Sequence, residues 1–377
     1  MDKLGKKHGL PLVYRIVARN LRHRRARTIL TALAISVGVT LLLTIVGLAD
    51  GMMGDQQSRA RGAGADIMIL PAGSNVIGFS NAPMSDKLVA FAAAQPHVKI
   101  ATGVVMQSIG AIHRITGIDY ETFDRMANFV FVEGGPFQGP DDIVVDEFYA
   151  RQNDLGVGDS VEILDKEWRV AGIVEPGKMA RVILPIDVVQ ELTGTIGKIS
   201  MIYVQLDDPA LTYQVIEDLK TAGLSPDNYQ MYSVEEFASQ FTPSAVPEFQ
   251  VFISIIIGLS IAFGFLVVFL TMHTAVLERT REIGILKSLG ATQAYILGIL
   301  VREALALGLL GSMVGILLSF VTRWVIDTLI PATMQASIVP GWWPRAIAIT
   351  LIGALLGALY PAIKASRQDA LESLSYD

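Results

Sequence analysis

The 377 residues include no cysteine, which excludes disulfide frameworks, thiolate chemistry and cysteine-ligated metals. Charge is scarce, at 18% against 51% hydrophobic residues, and that apolar excess argues for a membrane protein. No Gly-x-x-x-x-Gly-Lys-Ser/Thr segment is present; Gly5-Lys6, Gly177-Lys178 and Gly197-Lys198 all lack the pattern. The chain therefore does not hydrolyse ATP alone. A His-Glu-x-x-His helix and a Gly-x-Ser-x-Gly elbow are also missing.

What is present is four long apolar runs, Thr28–Ala49, Phe249–Leu277, Ala304–Thr322 and Ala346–Ile363, none holding Asp, Glu, Lys or Arg. A hydrocarbon core of about 30 Å needs roughly 20 such residues. The second run, 29 residues long, exceeds that need and predicts a tilted span or a stalk. The first is too long for a cleaved signal peptide and lacks a small-residue cleavage pattern after Asp50. Ion-coupled transporters place ionisable groups at mid-membrane, so uncharged spans argue against a self-contained secondary transporter. They equally exclude an intramembrane enzyme.

Residues 1–27 carry nine Lys or Arg against Asp2 alone, and Arg279, Arg281, Lys287, Arg302, Lys364 and Arg367 flank the later spans. The orientation rule puts both termini in the cytoplasm. Leu10, Val13, Val17 and Leu21 recur at helical spacing among arginines, which predicts an interfacial amphipathic helix on membrane lipids. The insert Asp50–Glu248 holds 13 basic and 28 acidic residues, a net −15, and belongs outside. Trp324, Trp342 and Trp343 fall at the outer ends of spans three and four, as an aromatic belt predicts.

Within the insert, strand-like runs occur at Asp66–Leu70, Ile100–Gln107, Val161–Leu164, Trp168–Val174, Val182–Leu184 and Ser200–Leu206. Helical patterns occur at Ser85–Ala94, Glu147–Asn153, Ile186–Leu192, Leu211–Ala222 and Val234–Phe241. The fold class is thus integral membrane, with four transmembrane α-helices and a large α+β extracytoplasmic domain between helices 1 and 2. Stretches near 66–107 and 200–231 predict one subdomain, with the β-rich middle inserted into it. Gly156-Val157-Gly158-Asp159 reads as a tight turn, Gly73–Pro83 as a solvated loop, and His97 and His113 form no ligand pair. No metal site and no substrate site is visible.

Small residues line the spans. Ala32, Ser36 and Thr40 recur at four-residue spacing on span one, Ser254 and Gly258 on span two. Gly311/Gly315 and Gly353/Gly357 each form Gly-x-x-x-Gly. Such stripes let helix backbones approach closely in lipid, within the chain or between two copies. Between spans two and three, Ile283, Leu286 and Leu289 mark one face of a short amphipathic helix. Gly290 is placed to end it and Thr292 to cap the next.

Four segments carry a family resemblance: Asn20–Thr31, Glu278–Thr292, Arg302-Glu303-Ala304 and Tyr360–Leu374. With Asp141–Gly177 they are similar to the MacB/FtsX-type permeases of ABC transporters, the type VII or mechanotransmission group of macrolide, lipoprotein, haem and DevC-like exporters. The tail departs from the family pattern at Ala370, where relatives carry proline. The resemblance implies a permease paired with a second copy or a paralogue and bound to a separate ATPase, which binds the ATP and Mg²⁺; no cofactor belongs to this chain. It also implies a bacterial inner-membrane location, a porter subdomain with an inserted sabre-like one, and no nucleic-acid partner. A periplasmic adaptor and an outer-membrane channel stay open.

Carried over by position, the resemblance places ATPase coupling on Glu278, Arg279, Glu282, Ile283, Gly284, Lys287 and Ser288. The charged ones would make charge-assisted contacts, Ile283 would fill a groove, and Gly284 would permit close approach. Expected segments are 1–27 (amphipathic helix), 28–49, 249–277 with stalk, 293–322 and 346–363 (spans), 50–248 (external domain), 278–292 (coupling helix), 323–345 (short external loop) and 364–377 (tail). The leading function is export or extraction of a hydrophobic or amphiphilic substrate such as a lipid, lipoprotein, haem or drug. The alternative is an FtsX-like signalling device that controls an external cell-wall hydrolase without transport.

Overall fold

A computed structural model of the chain describes residues 12–74, 82–109, 113–242, 247–329 and 336–367. The start of the amphipathic helix, most of the Gly73–Pro83 loop and the tail with Ala370 lie outside them. In chain order the first elements are α1 (Leu12–His23), α2 (Arg25–Gly62), β1 (Ile67–Pro71), β2 (Met84–Ser85), α3 (Lys87–Ala93), β3 (Val98–Ile109), β4 (His113–Ile118) and α4 (Tyr120–Ala127). Then come β5 (Phe131–Gly134), β6 (Asp142–Asp146), α5 (Glu147–Gln152), β7 (Ser160–Ile163), β8 (Lys166–Val174), β9 (Val182–Pro185) and α6 (Ile186–Thr193). The last are β10 (Lys198–Ile199), β11 (Met201–Leu206), α7 (Thr212–Thr221), β12 (Tyr229–Ser233), α8 (Val234–Ser239), α9 (Pro247–Glu278), α10 (Thr280–Ser288), α11 (Gln293–Leu329) and α12 (Trp343–Arg367).

The chain divides into a helical unit, residues 1–49, 247–326 and 336–377, and a sheet-bearing unit, residues 50–246 with 327–335. Among the described residues four helices, α2, α9, α11 and α12, are long and apolar enough to cross a membrane. Each runs past the apolar stretch that marks it: α2 to Gly62 and α11 to Leu329. Helix α1 keeps Val17 buried and Leu21 half-buried, with Arg19 and Arg22 exposed, the pattern of an amphipathic surface helix.

Two glycine pairs set the packing of the helical unit. A Cβ built on Gly311 or Gly315 of α11 would fall 2.6 Å from Ile35 or Val39 of α2. One built on Gly353 or Gly357 of α12 would fall 3.0 or 2.5 Å from carbonyl oxygens of Ile261 or Phe265 on α9. Both motifs serve contacts within the chain. Hydroxyls add directional bonds where the backbones meet: Thr40 Oγ1 donates to the Gly315 carbonyl at 3.2 Å, and the Thr44 and Thr322 hydroxyls lie 2.7 Å apart.

In the sheet-bearing unit one sheet runs β12-β1-β11-β3-β4-β9-β6-β8-β5, with β7 also on β8. Strand β1 is antiparallel to both neighbours, and Ile67, Met68, Ile69 and Leu70 are buried, so this apolar run needs no polar face. The outer group β12-β1-β11-β3 holds the flanking segments, and the remaining strands hold the middle of the insert. The β3–β4 hairpin joins the two groups into one hydrogen-bonded sheet, so the inserted part extends the outer sheet edge to edge. Strands β2 and β10 pair separately. Gly158 takes a positive φ of 96° and Asp159 accepts from the Gly156 N–H at 2.7 Å, the tight turn that opens β7.

Candidate functional site

Helix α9 breaks after Glu278 because Arg279 leaves helical geometry at φ −114°, and α10 starts at the next residue. Gly290, at φ +93°, ends α10 in a conformation that favours glycine; its N–H bonds the Lys287 carbonyl and the Ala291 N–H bonds that of Leu286. Thr292 Oγ1 accepts from the Tyr295 N–H at 3.3 Å and opens α11. Both caps match the sequence reading.

The seven coupling candidates separate by burial. Glu282 and Ser288 are exposed and Lys287 is half-buried. Ile283 is 6% exposed and packs with Val276, Ile296, Leu300, Ala362 and Ala365, and Gly284 is buried beside it. These two turn toward the chain's own helices. The outward face consists instead of Arg281, Glu282, Ile285, Ser288 and Leu289, with Leu289 80% exposed. Positions 281/282, 285 and 288/289 share one face of a 3.6-residue helix. The composition gives Ile285 no distinction from Ile283; only the packing separates them.

Glu278, which is exposed, and Arg279, which is buried, both form ion pairs within the chain. Glu278 contacts both Arg24 and Arg27. Arg279, 9% exposed, lies 3.2 Å from Glu303, itself 5% exposed, and Asn20 Nδ2 donates to the same carboxylate at 3.2 Å. A small cavity of about 10 Å³ beside them is lined by Thr28, Thr31, Thr271 and Leu307 among others, too small for a substrate. Glu303 stands one residue outside the uncharged run, and the sequence reading gave it no role.

The helix-packing candidates also divide. Ala32 and Ser36 are buried, and their carbonyls lie 3.1 and 2.9 Å from Cβ positions on Gly311 and Gly315. With Thr40 they are used inside the chain. Ser254 and Gly258 are exposed on α9, and nothing lies within 4 Å of a Cβ built on Gly258. Around them Val251, Phe252, Ile255 and Leu259 are exposed.

In the sheet-bearing unit, Asp55 and Arg59 of α2 meet Arg181 and Asp146. Asp55 lies 2.9 Å from both guanidinium groups, and Arg59 lies 3.4 Å from Asp146. Asp146 also accepts the Tyr149 N–H at 2.7 Å. Burial pushes the Asp146 carboxyl above its ordinary value, against the pull of Arg59, and burial lowers the Arg181 guanidinium. A groove of about 330 Å³ in this unit is lined by Asp86, Thr102, Asp119, Asp187 and Gln190. Among the described residues no group of His, Asp or Glu is arranged to hold a metal ion.

Comparison with known proteins agrees with this architecture. A family model described as the MacB-like periplasmic core domain matches residues 28–222, just over half of the chain. One described as the FtsX-like permease C-terminal matches residues 254–370. The chain is similar to an uncharacterized ABC transporter permease of Methanocaldococcus jannaschii, 30% identical over 59% of this chain and 58% of that one. It is also similar to the macrolide export ATP-binding/permease protein MacB of Hahella chejuensis, 28% identical over 93% of this chain and 58% of that one. A solved structure of the periplasmic region of MacB from Actinobacillus actinomycetemcomitans matches at 16% identity and a TM-score of 0.37, covering 48% of this chain and 94% of that one. The chain spans less than two thirds of the length of these curated relatives. Two family models, over residues 28–222 and 254–370, lead to one assignment: the chain belongs to the MacB/FtsX-type family of ABC transporter permeases.

Proposed function

We propose that this chain is the membrane subunit of an ABC exporter, driven by a separate nucleotide-hydrolysing subunit that docks on α10. The exposed face of α10 carries this reading. Ile285 and Leu289 offer an apolar contact, while Arg281, Glu282 and Ser288 supply polar contacts at its border. ATP and Mg²⁺ bind the partner. In this reading α10 and both termini lie on the cytoplasmic side of a bacterial inner membrane and the acidic unit outside, an orientation that the basic residues near the span ends support.

The work is mechanical. Closure of the ATPase pair pushes α10, and long helices relay that motion to the outer domain, which expels a lipid, lipoprotein, haem or drug. The uncharged runs within these helices suit this role because they present no polar path for a hydrophilic solute. A second copy or a paralogue docks along α9, where Ser254 and Gly258 leave room for close backbone approach. An adaptor or an outer-membrane channel would join on the outer side.

The test is co-purification of the full chain with a nucleotide-hydrolysing subunit, followed by hydrolysis assays in nanodiscs with candidate amphiphiles. Export predicts stable association and stimulation by at least one amphiphile. Hydrolysis that no amphiphile changes, with none leaving the membrane, removes the proposal.

A further inference from the structure

We infer that Glu303 is the positioning residue of the coupling helix, a buried carboxylate that ties α10 to α1 and α11 so that all three move as one body. A carboxylate next to an apolar span is costly unless it is paired and fully hydrogen-bonded. Here it is both. Arg279 Nη1 reaches its two oxygens at 3.2 and 3.3 Å, and Asn20 Nδ2 reaches one at 3.2 Å. The donors come from different segments: Arg279 from the break between α9 and α10, Asn20 from α1.

The break itself is held from two sides. Glu278 is bound by Arg24 and Arg27, while Arg279, its neighbour, is bound by Glu303. Opposite charges on consecutive residues thus point the elbow toward α1–α2 and toward α11 at once. Apolar contacts such as those of Ile283 fix the distance of α10 from the bundle, yet they tolerate sliding and rotation. Charge-assisted bonds are directional and resist rotation. A hinge at residue 279 would absorb a push on α10; the tie to Glu303 passes it on. This inference rests on the docking reading for the source of the push, but the tie itself is a property of this chain.

The experiment uses the full chain in nanodiscs and exploits the absence of native cysteine. Cysteines replacing exposed Arg22 on α1 and Ser288 on α10 carry spin labels, and amide exchange is followed over residues 280–288. The parent should give a narrow distance distribution. Glu303→Gln, which keeps size and an Asn20 partner but loses the charge, should broaden it and raise α10 exchange about tenfold. The exchanged pair Arg279→Glu with Glu303→Arg should recover much of the parent behaviour. Unchanged distances and exchange in both Glu303→Gln and Glu303→Ala, or no recovery in the exchanged pair, would overturn the inference. A loosened α10 with undiminished hydrolysis by the partner would sink the docking reading and leave the tie standing.

Discussion

Gly315 of α11 stands so close to Val39 of α2 that a Cβ added to the glycine would fall 2.6 Å from the valine Cβ, with the Ser36 carbonyl 2.9 Å away. The neighbours are the branch point of a β-branched side chain and a main-chain carbonyl, so a larger residue finds nothing flexible to displace. Gly315→Leu should separate the two helices and cost about 1–3 kcal/mol, as overpacking does. A Cβ on Gly258 has nothing outside its own helix backbone within 4 Å, so Gly258→Leu should not lower the thermal unfolding of the protomer. If α9 forms the dimer contact, cross-linking between copies should fall in that variant alone.

The two faces of α10 should respond differently to charge. Glu282→Lys and Leu289→Asp alter exposed positions and should leave folding intact while weakening association with the hydrolysing subunit. Ile283→Asp buries an unpaired carboxylate among Val276, Ile296 and Leu300 and should destabilise the bundle by at least about 2 kcal/mol. Thermal unfolding and pull-down in detergent separate the cases. Equal loss of partner binding without loss of stability in all three would show that burial does not define the docking face.

Arg59 lies within reach of both Asp55 and Asp146 in the sheet-bearing unit. Arg59→Ala removes one cation and leaves buried Asp146 without its guanidinium contact, while half-buried Asp55 keeps Arg181. Breaking a buried ion network by one partner typically costs 3–5 kcal/mol, so we expect about that loss. Chemical denaturation of the full chain, read through buried Trp168, reports it once Trp324, Trp342 and Trp343 are replaced by phenylalanine.

Acid should destabilise this unit through Asp142. Burial works to raise its carboxyl, but the Gln138 and Gly139 N–H groups and Arg169 outweigh it and hold the group below its ordinary value. A depressed carboxyl contributes stability above the unfolded range, near pH 4, and loses it as the pH falls through the folded value. Asp142→Asn should lower stability at neutral pH and flatten the acid limb. Parallel acid limbs in variant and parent, followed through Trp168, would count against this assignment.

Gly62 carries a steric prediction of its own. A Cβ there would fall 1.8 Å from the Gly177 carbonyl oxygen, so even Gly62→Ala must shift one of the two backbones. Loss of cooperative unfolding in this variant, with Gly54→Ala as a control free of contacts within 4 Å, is the expected result.

Much of the architecture follows from local chemistry in the sequence. Apolar runs without charge define four long helices, and Gly290 and Thr292 bound α10 because positive φ and an N-cap hydroxyl are properties of single residues. The flanking strands β1, β3 and β11 are legible from their apolar runs. Strand β6 is not: its three apolar residues lie between Asp142 and Asp146, and those charges enter the sheet only because Arg169 and Arg59 wait there. Strands β4, β5 and β12 and helix α4 are likewise short or mixed, and pairing across the sheet decides them.

At the elbow the division is sharper. The family pattern, the helix and its ends are local, so one chain of letters suffices to find them. Which way α10 faces is not local. Ile283 and Ile285 are chemically identical, and only the packing of α9, α11 and α12 makes one core and the other surface. Glu303 and Arg279 are 24 residues apart, and nothing in their spacing pairs them. Tertiary folding does so, because a buried carboxylate has to find a cation and the bundle brings this one within reach.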